Sequence, residues 1–234
     1  MPSANVTVLV RLTAATAGGP PAGGGTGPVA AGARERTRLA RALVEEAARS
    51  ALTGLTGVTG PAASGDAASG GLTGPRKLTG PGKLTWARTD AGRPYLVELP
   101  EFWFSIAHAG PYVGVALAGV ACGLDLEIAG RAVNPALARR FAPDERAFVE
   151  AAAPGARGRR LLEVWTKKEA YLKWSGRGIA GGLGGFSTLD PAALGVGFLP
   201  LAGGPRRDLI GWVCLEAAAA RRASLRQEWL APSL

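Results

Sequence analysis

The chain reads as a mixed α and β protein, and three features carry that reading. Residues 5–13 are dense in β-branched side chains, the composition of a strand. Residues 102–120 hold two apolar extended runs around a Gly110-containing turn, the pattern of a hairpin. Residues 34–52 and 161–174 instead suit helices. Leu39, Leu43, Ala47 and Ala48 recur at helical spacing in the first, and the second is free of Gly and Pro until Ser175-Gly176 ends it.

The 234 residues suffice for one large domain or two small ones, and 47% hydrophobic content fills a core without disulfides or a structural metal. Gly (35) and Pro (17) are concentrated in two segments, so the whole chain is not low-complexity. A net charge of +9 favours anionic partners without choosing among nucleotides, nucleic acids, acidic proteins and anionic membranes. No block of like charge exceeds three residues, which argues against a nucleic-acid-binding tail. The apolar run from Val6 to Val10 is too short for a signal-peptide core or a membrane span. Cys122 and Cys214 stand alone in apolar surroundings, as buried free thiols of a cytoplasmic protein would.

Taken in order, the strand at 5–13 gives way to Ala, Gly, Pro and Thr at 14–33, expected to be a mobile loop. In the helix at 34–52, Arg34, Arg36, Arg38 and Arg41 crowd the first half, where cations oppose the helix dipole. An anionic ligand would account for them, and so would a solvated face. Residues 53–83 repeat Leu-Thr-Gly too irregularly for a solenoid and read as a loop. Order resumes at residues 84–88, and Gly92-Arg93-Pro94 turns the chain toward another extended stretch. His108, the only histidine, closes the first strand of the hairpin, where a structural role and a phosphate contact are equally open. Asn134-Pro135 opens an amphipathic helix carrying Leu137, Phe141 and Phe148, and residues 151–159 read as a loop. The glycines between 176 and 185 lack the order of a nucleotide-binding loop. The tail holds one strand, 209–215, and a short polar end.

Two acidic segments stand out. Gly123-Leu124-Asp125-Leu126-Glu127-Ile128 alternates apolar and acidic residues, so Asp125 and Glu127 share one strand face about 7 Å apart. In Trp165-Thr166-Lys167-Lys168-Glu169-Ala170-Tyr171-Leu172-Lys173, Glu169 and Lys173 lie one helical turn apart. Separately, each has an ordinary explanation as a solvated acidic face or a surface ion pair. Together they offer three carboxylates and a lysine, the donor set for a divalent cation carrying phosphate.

These two segments, with Phe104-Ser105-Ile106-Ala107-His108-Ala109-Gly110 before them, resemble the three ordered motifs of the 4′-phosphopantetheinyl transferases. More narrowly they resemble the long, surfactin-synthetase-type subfamily. Gly92-Arg93-Pro94 is similar to a further family position and Arg36-Thr37 to its first helix, so the likeness runs over roughly residues 34–190. It implies an α+β fold of two similar halves, residues 1–119 and 120–234, related by a pseudo-twofold with the active site in the cleft between them. It also implies a monomer that moves 4′-phosphopantetheine from coenzyme A to a serine of an apo carrier protein, releasing 3′,5′-ADP. On that resemblance Asp125, Glu127 and Glu169 would hold Mg²⁺. Glu169 would take the serine proton, and Lys173 would steady the departing diphosphate oxygen. Ser105 and His108 would contact the phosphates of coenzyme A, and Arg36, Thr37 and Arg93 its adenosine end. The helix around Arg140, Phe141 and Phe148 would face the carrier protein. Two departures are visible. The family's basic helix ahead of Arg36 is replaced by the segment 14–33, and the insertion at 53–83 is long.

A non-catalytic protein of the same fold that binds coenzyme A or a carrier protein is the alternative, although it has no need of all three acids and Lys173. A nucleic-acid binder rests on charge alone, with no zinc finger or aromatic RNA-binding run to support it. No membrane association is expected. The choice of carrier protein, tolerance of acylated coenzyme A and preference between Mg²⁺ and Mn²⁺ are not written in these motifs.

Overall fold

A computed structural model of the chain describes residues 6–14, 28–52, 84–90, 92–178, 182–202 and 209–230. Most of the two expected loops, residues 15–27 and all of 53–83, lies outside the described residues. Strand β1 (Val6–Ala14) pairs antiparallel with β5 (Tyr112–Ala118), which pairs antiparallel with β4 (Trp103–Ala109) as the expected hairpin. Helix α1 (Pro28–Leu52) covers this sheet. A small ribbon of β2 (Trp86–Arg88) and β3 (Pro94–Leu96) stands apart, its turn passing through Gly92 at φ 83°, a conformation that favours glycine.

A second sheet follows in the order β6 (Cys122–Ile128), β8 (Leu209–Glu216), β7 (Val196–Pro200), all antiparallel. Helix α3 (Pro154–Ser175) covers it, preceded by a 3₁₀ turn (Pro135–Arg140) and α2 (Pro143–Glu150). After β8 come a short helix α4 (Ala217–Ala220) and β9 (Ala223–Trp229).

The period-two pattern of each strand explains how these layers stack. In β5, Val113, Val115 and Leu117 face Leu43, Val44 and Ala47 of α1. Their neighbours Tyr112, Ala116 and Ala118 join Val8, Val10 and Leu12 of β1 against Leu124 and Leu126 of β6. The alternate residues of β6, namely Gly123, Asp125 and Glu127, are left for α3. Helix, sheet, sheet and helix therefore lie in four layers, and the acidic face of β6 is turned onto the helix that carries Glu169 and Lys173.

Several expectations are revised by this arrangement. Helix α1 begins at Pro28, not at 34, because proline suits the first turn and Ala30, Ala31 and Ala33 continue it. Arg34, Arg36 and Arg38 consequently lie beyond the first turn, where they no longer oppose the orphan N–H groups of a helix start. The single helix expected from 134 is two elements. Pro143 forces Ala142 out of the helical region (φ −59°, ψ 152°), and α2 begins anew there. Helix α3 starts at Pro154, so the expected loop at 151–159 is only three residues long.

Strand β7 and strand β9 were not expected. β9 lies parallel to β1, from Val6 opposite Ala223 to Leu12 opposite Trp229. It gives the first sheet an edge strand drawn from the C-terminal end of the chain, beyond the boundary expected at 119. Its sequence, Ala-Ser-Leu-Arg-Gln-Glu-Trp, is polar because an edge strand buries only part of its surface.

Candidate functional site

Helix α3 reaches β6 through a backbone-to-backbone contact. A Cβ at Gly123 would lie 2.0 Å from the carbonyl oxygen of Ala170 and 2.5 Å from the nitrogen of Trp174, so only glycine permits this approach. The contact sets Lys173 beside the strand. Its Nζ donates to Asp125 Oδ1 at 2.8 Å and to the carbonyl of Leu124 at 2.9 Å. Glu169, one turn earlier, carries an Oε1 that is buried without a hydrogen-bond partner.

Burial pushes the Asp125 carboxyl up to about 6 against the opposing pull of Lys173, and the charge of Glu127 adds to the rise. Glu169 is raised too, first by burial, then by the charge of Asp125, with Glu127 adding and Lys173 opposing. The three acids named from the sequence thus sense one another electrostatically.

They are not gathered as a finished cage. Glu127 is held by Arg131 at 2.6 and 2.7 Å and by the indole N–H of Trp165 at 2.9 Å. Among the described residues, no three Asp, Glu, His or Cys side chains converge closely enough to hold an ion as they stand. The chemistry of the set nevertheless suits a hard divalent cation. The donors are all carboxyl oxygens, and a buried Glu169 oxygen without a hydrogen-bond partner is suited to coordinate a cation.

Arg93 closes the end of α3. Its Nη2 donates to the carbonyls of Lys173 (3.1 Å) and Trp174, and its guanidinium lies 5.2 Å from the Trp103 ring centre. The helix stops immediately after, at Gly176 with φ 69°. A cavity of about 230 Å³ opens here, and Arg93, Ser105, Glu169 and Lys173 contribute to its wall. A second cavity of about 480 Å³, with Thr37, Arg41, Trp86, Arg88 and His108 in its wall, shares Pro94 and Ile106 with the first.

Six of the expected site residues, from α1, the β2–β3 turn, β4 and α3, therefore line two adjoining cavities, and Arg41 lines the second as well. Arg36 lines neither, but its positive charge reaches His108. The exposed His108 has its pKa lowered by partial desolvation, then by the charges of Lys173 and Arg36. Asp125 meets the first cavity through Lys173, and Glu127 lines neither cavity, being engaged by Arg131 and by Trp165 of α3. Ser105 is buried, with its Oγ accepting the N–H of Leu124 at 2.9 Å, so it also ties β4 to β6. Thr37 donates its hydroxyl to Ala33 at 3.0 Å.

Sequence reasoning missed Trp86 and Arg88, and left Arg41 open between an anionic ligand and a solvated face. Their signals were present: Arg41 lies one turn beyond Thr37, and Trp86 and Arg88 share one face of β2. Arg41 stacks 5.1 Å from the Trp86 ring centre, and Trp86 Nε1 donates to Glu45 at 2.9 Å. Arg88 donates to the carbonyl of Gly92 at 2.6 Å.

Lys168 has a different task. It is 0% exposed and pairs with the equally buried Glu145 at 2.6 Å. Its other bonds go to the carbonyls of Leu183 and Phe186, both at 2.6 Å. Glu145 in turn accepts from the backbone N–H and hydroxyl of Thr188 and from the N–H of Ala142. Lys168 therefore holds residues 183–188 against α2 and α3 and has nothing left for a ligand.

Phe141 is buried, which removes it from the expected carrier-protein surface, whereas Phe148 is 38% exposed beneath Arg160. Cys122 and Cys214 are buried and free, and burial pushes the Cys122 thiol up to about 12, far from a reactive thiolate. No helix among the described residues is long and apolar enough to cross a membrane.

Comparison with known proteins points to the same segment. Residues 121–204, which include β6, α2 and α3, match the model of the 4′-phosphopantetheinyl transferase superfamily. The chain is 27% identical over 105 residues to a 4′-phosphopantetheinyl transferase of Bacillus subtilis, covering 45% of this chain and 47% of that protein. It is 30% identical over 98 residues to the 4′-phosphopantetheinyl transferase psf-1 of Bacillus pumilus, covering 42% of each. A Synechocystis protein provisionally named a 4′-phosphopantetheinyl transferase is 40% identical over 98 residues, 39% of each chain. The matched stretches span less than half the length of these curated relatives.

Proposed function

We propose that this chain transfers 4′-phosphopantetheine from coenzyme A to a serine hydroxyl of an apo carrier protein, leaving 3′,5′-ADP. The observation that carries the proposal is the convergence of Glu169, Lys173, Arg93 and Ser105 on one cavity that adjoins a basic one. The family match over β6 to α3 supports it. On this reading the chain forms two α+β halves, 1–119 joined by β9 and the remainder of 120–234, facing each other about a pseudo-twofold. The helix–sheet–sheet–helix layering is the support for that.

Coenzyme A carries several phosphates, and the wall of the second cavity supplies Arg41, Arg88 and His108 with the Trp86 indole. Planar guanidinium groups suit phosphate oxygens, and an indole suits a flat base. These residues take the adenosine end, with Thr37 and the charge of Arg36 beside them. The diphosphate then reaches toward Arg93, Ser105 and Lys173. Asp125, Glu127 and Glu169 would hold Mg²⁺, which when bound supplies positive charge to the diphosphate oxygens. Glu127 must give up Arg131 to join that set.

Glu169 is the group to accept the serine proton. Its raised pKa makes the Glu169 carboxylate a stronger base than an exposed glutamate. As the serine oxygen bonds to the β-phosphorus, the bond from that phosphorus to the 3′,5′-ADP oxygen breaks. Lys173 balances the negative charge gathering on the departing oxygen. The net positive chain draws in both the phosphates and an acidic carrier protein.

The test is incubation with coenzyme A, Mg²⁺ and a panel of apo carrier proteins, read by mass spectrometry. A serine-linked phosphopantetheine mass on at least one carrier is the expected result. It should disappear with Asp125→Ala and Glu169→Ala proteins whose circular dichroism is unchanged. Coenzyme A binding without any mass gain across the panel would reduce the protein to a non-catalytic binder.

A further inference from the structure

The bonds made by Lys173 raise a question of occupancy at Asp125. Two of the three Lys173 protons are used on β6, one to Asp125 Oδ1 at 2.8 Å and one to the Leu124 carbonyl at 2.9 Å. The ammonium is thereby committed to the strand, although its side chain also lines the cavity that holds Arg93 and Glu169. Glu169, on the same helix face, is left with a buried oxygen that has no partner. The site is one positive charge short, and the charge it has sits on the carboxylate that a cation would need. Glu127, the next acid along, is closed off by Arg131 and Trp165.

We propose that Lys173 and a divalent cation are alternative partners of Asp125. In the metal-free protein the ammonium holds the carboxylate in place. When an ion takes Asp125 together with Glu169, ion and ammonium, both positive, repel each other across the one carboxylate. Lys173 then leaves the strand for the cavity, where the phosphate of the donor meets it. The lysine thus delays metal binding until there is an anion to receive it, and ion and donor bind cooperatively through this residue. This rests on the metal reading above and adds an exchange to it.

Mn²⁺ is the probe, titrated into the full chain without coenzyme A and followed by the electron paramagnetic resonance of the free ion. Lys173→Met, which keeps the aliphatic stem and removes the charge, is expected to bind Mn²⁺ about tenfold more tightly than the unaltered chain, about 1.4 kcal/mol. Lys173→Arg should not gain affinity. Equal or weaker binding by Lys173→Met overturns the exchange. If Asp125→Asn loses Mn²⁺ binding in that case, the metal reading itself survives. If Asp125→Asn binds as the unaltered chain does, both fall.

A second measurement needs no variant and so does not depend on refolding. Acetic anhydride labelling of the unaltered chain, located by mass spectrometry, should increase at Lys173 several-fold on saturation with Mn²⁺. Labelling of the part-exposed Lys167 serves as the internal reference. Unchanged labelling of Lys173 overturns the exchange.

Discussion

Replacing Gly123 with Ala tests the contact on which the site is built. The added methyl group would lie 2.0 Å from the Ala170 carbonyl oxygen and 2.5 Å from the Trp174 nitrogen. Real Cβ contacts begin near 3.0 Å, so the helix must withdraw by at least about 1 Å from the strand. Both neighbours are backbone atoms inside α3, and no side-chain rotation can absorb the shift. Overpacking of this kind costs about 1–3 kcal/mol, and a rigid backbone contact belongs at the upper end or beyond.

At roughly 2–4 °C per kcal/mol for a chain of this size, the melting temperature should fall by about 6–12 °C. The same shift carries Lys173 away from Asp125 and Glu169 away from the cavity, and misplacement by about 1 Å costs a reaction roughly a hundredfold. Differential scanning calorimetry and carrier-protein loading, both with Mg²⁺ present, read the two effects. A variant that melts within about 2 °C of the original and loads carrier at full rate would refute the close approach of α3 to β6. Gly123→Ser should behave alike, because the obstacle is the first side-chain atom and not its polarity.

Three further outcomes follow from the described contacts. Lys168→Met strands the buried Glu145 without its ion-pair partner, which should cost about 3–5 kcal/mol in urea unfolding; the double change with Glu145→Leu should cost less than the sum of the two single changes, and a purely additive double would mean the pair does not interact. Asp125 in the metal-free protein binds its proton up to about pH 6, whereas the unfolded chain releases it near 4. Stability is therefore highest below that window and falls as pH rises through it, by up to about 3 kcal/mol, a slope that Asp125→Asn should remove. His108→Ala and Arg88→Ala should each raise the KM for coenzyme A with little change in Mn²⁺ affinity, and an unchanged KM would return them to a role in the fold.

The sequence by itself determined most of the elements and the chemical inventory. β-branched runs marked β1, helical spacing marked α1 and α3, and the Gly110 turn marked the β4–β5 hairpin, because each is a local preference that neighbouring residues do not overrule. The acids and Lys173 were legible for the same reason: a period of two or of one helical turn says which side chains share a face.

Only the tertiary structure decided what that face meets. β9 was invisible because its polar sequence makes sense only as an edge beside β1, a pairing across more than 200 residues. Lys168 and Lys173 look alike in the sequence, five residues apart. Yet one is sealed against Glu145 and the other reaches a cavity, since five residues on a helix turn a side chain toward a different side. That Asp125 is engaged by Lys173 while Glu169 waits for a partner depends on the missing side chain of Gly123. Contact between a strand and a distant helix is fixed by packing, and packing is a property of the folded whole.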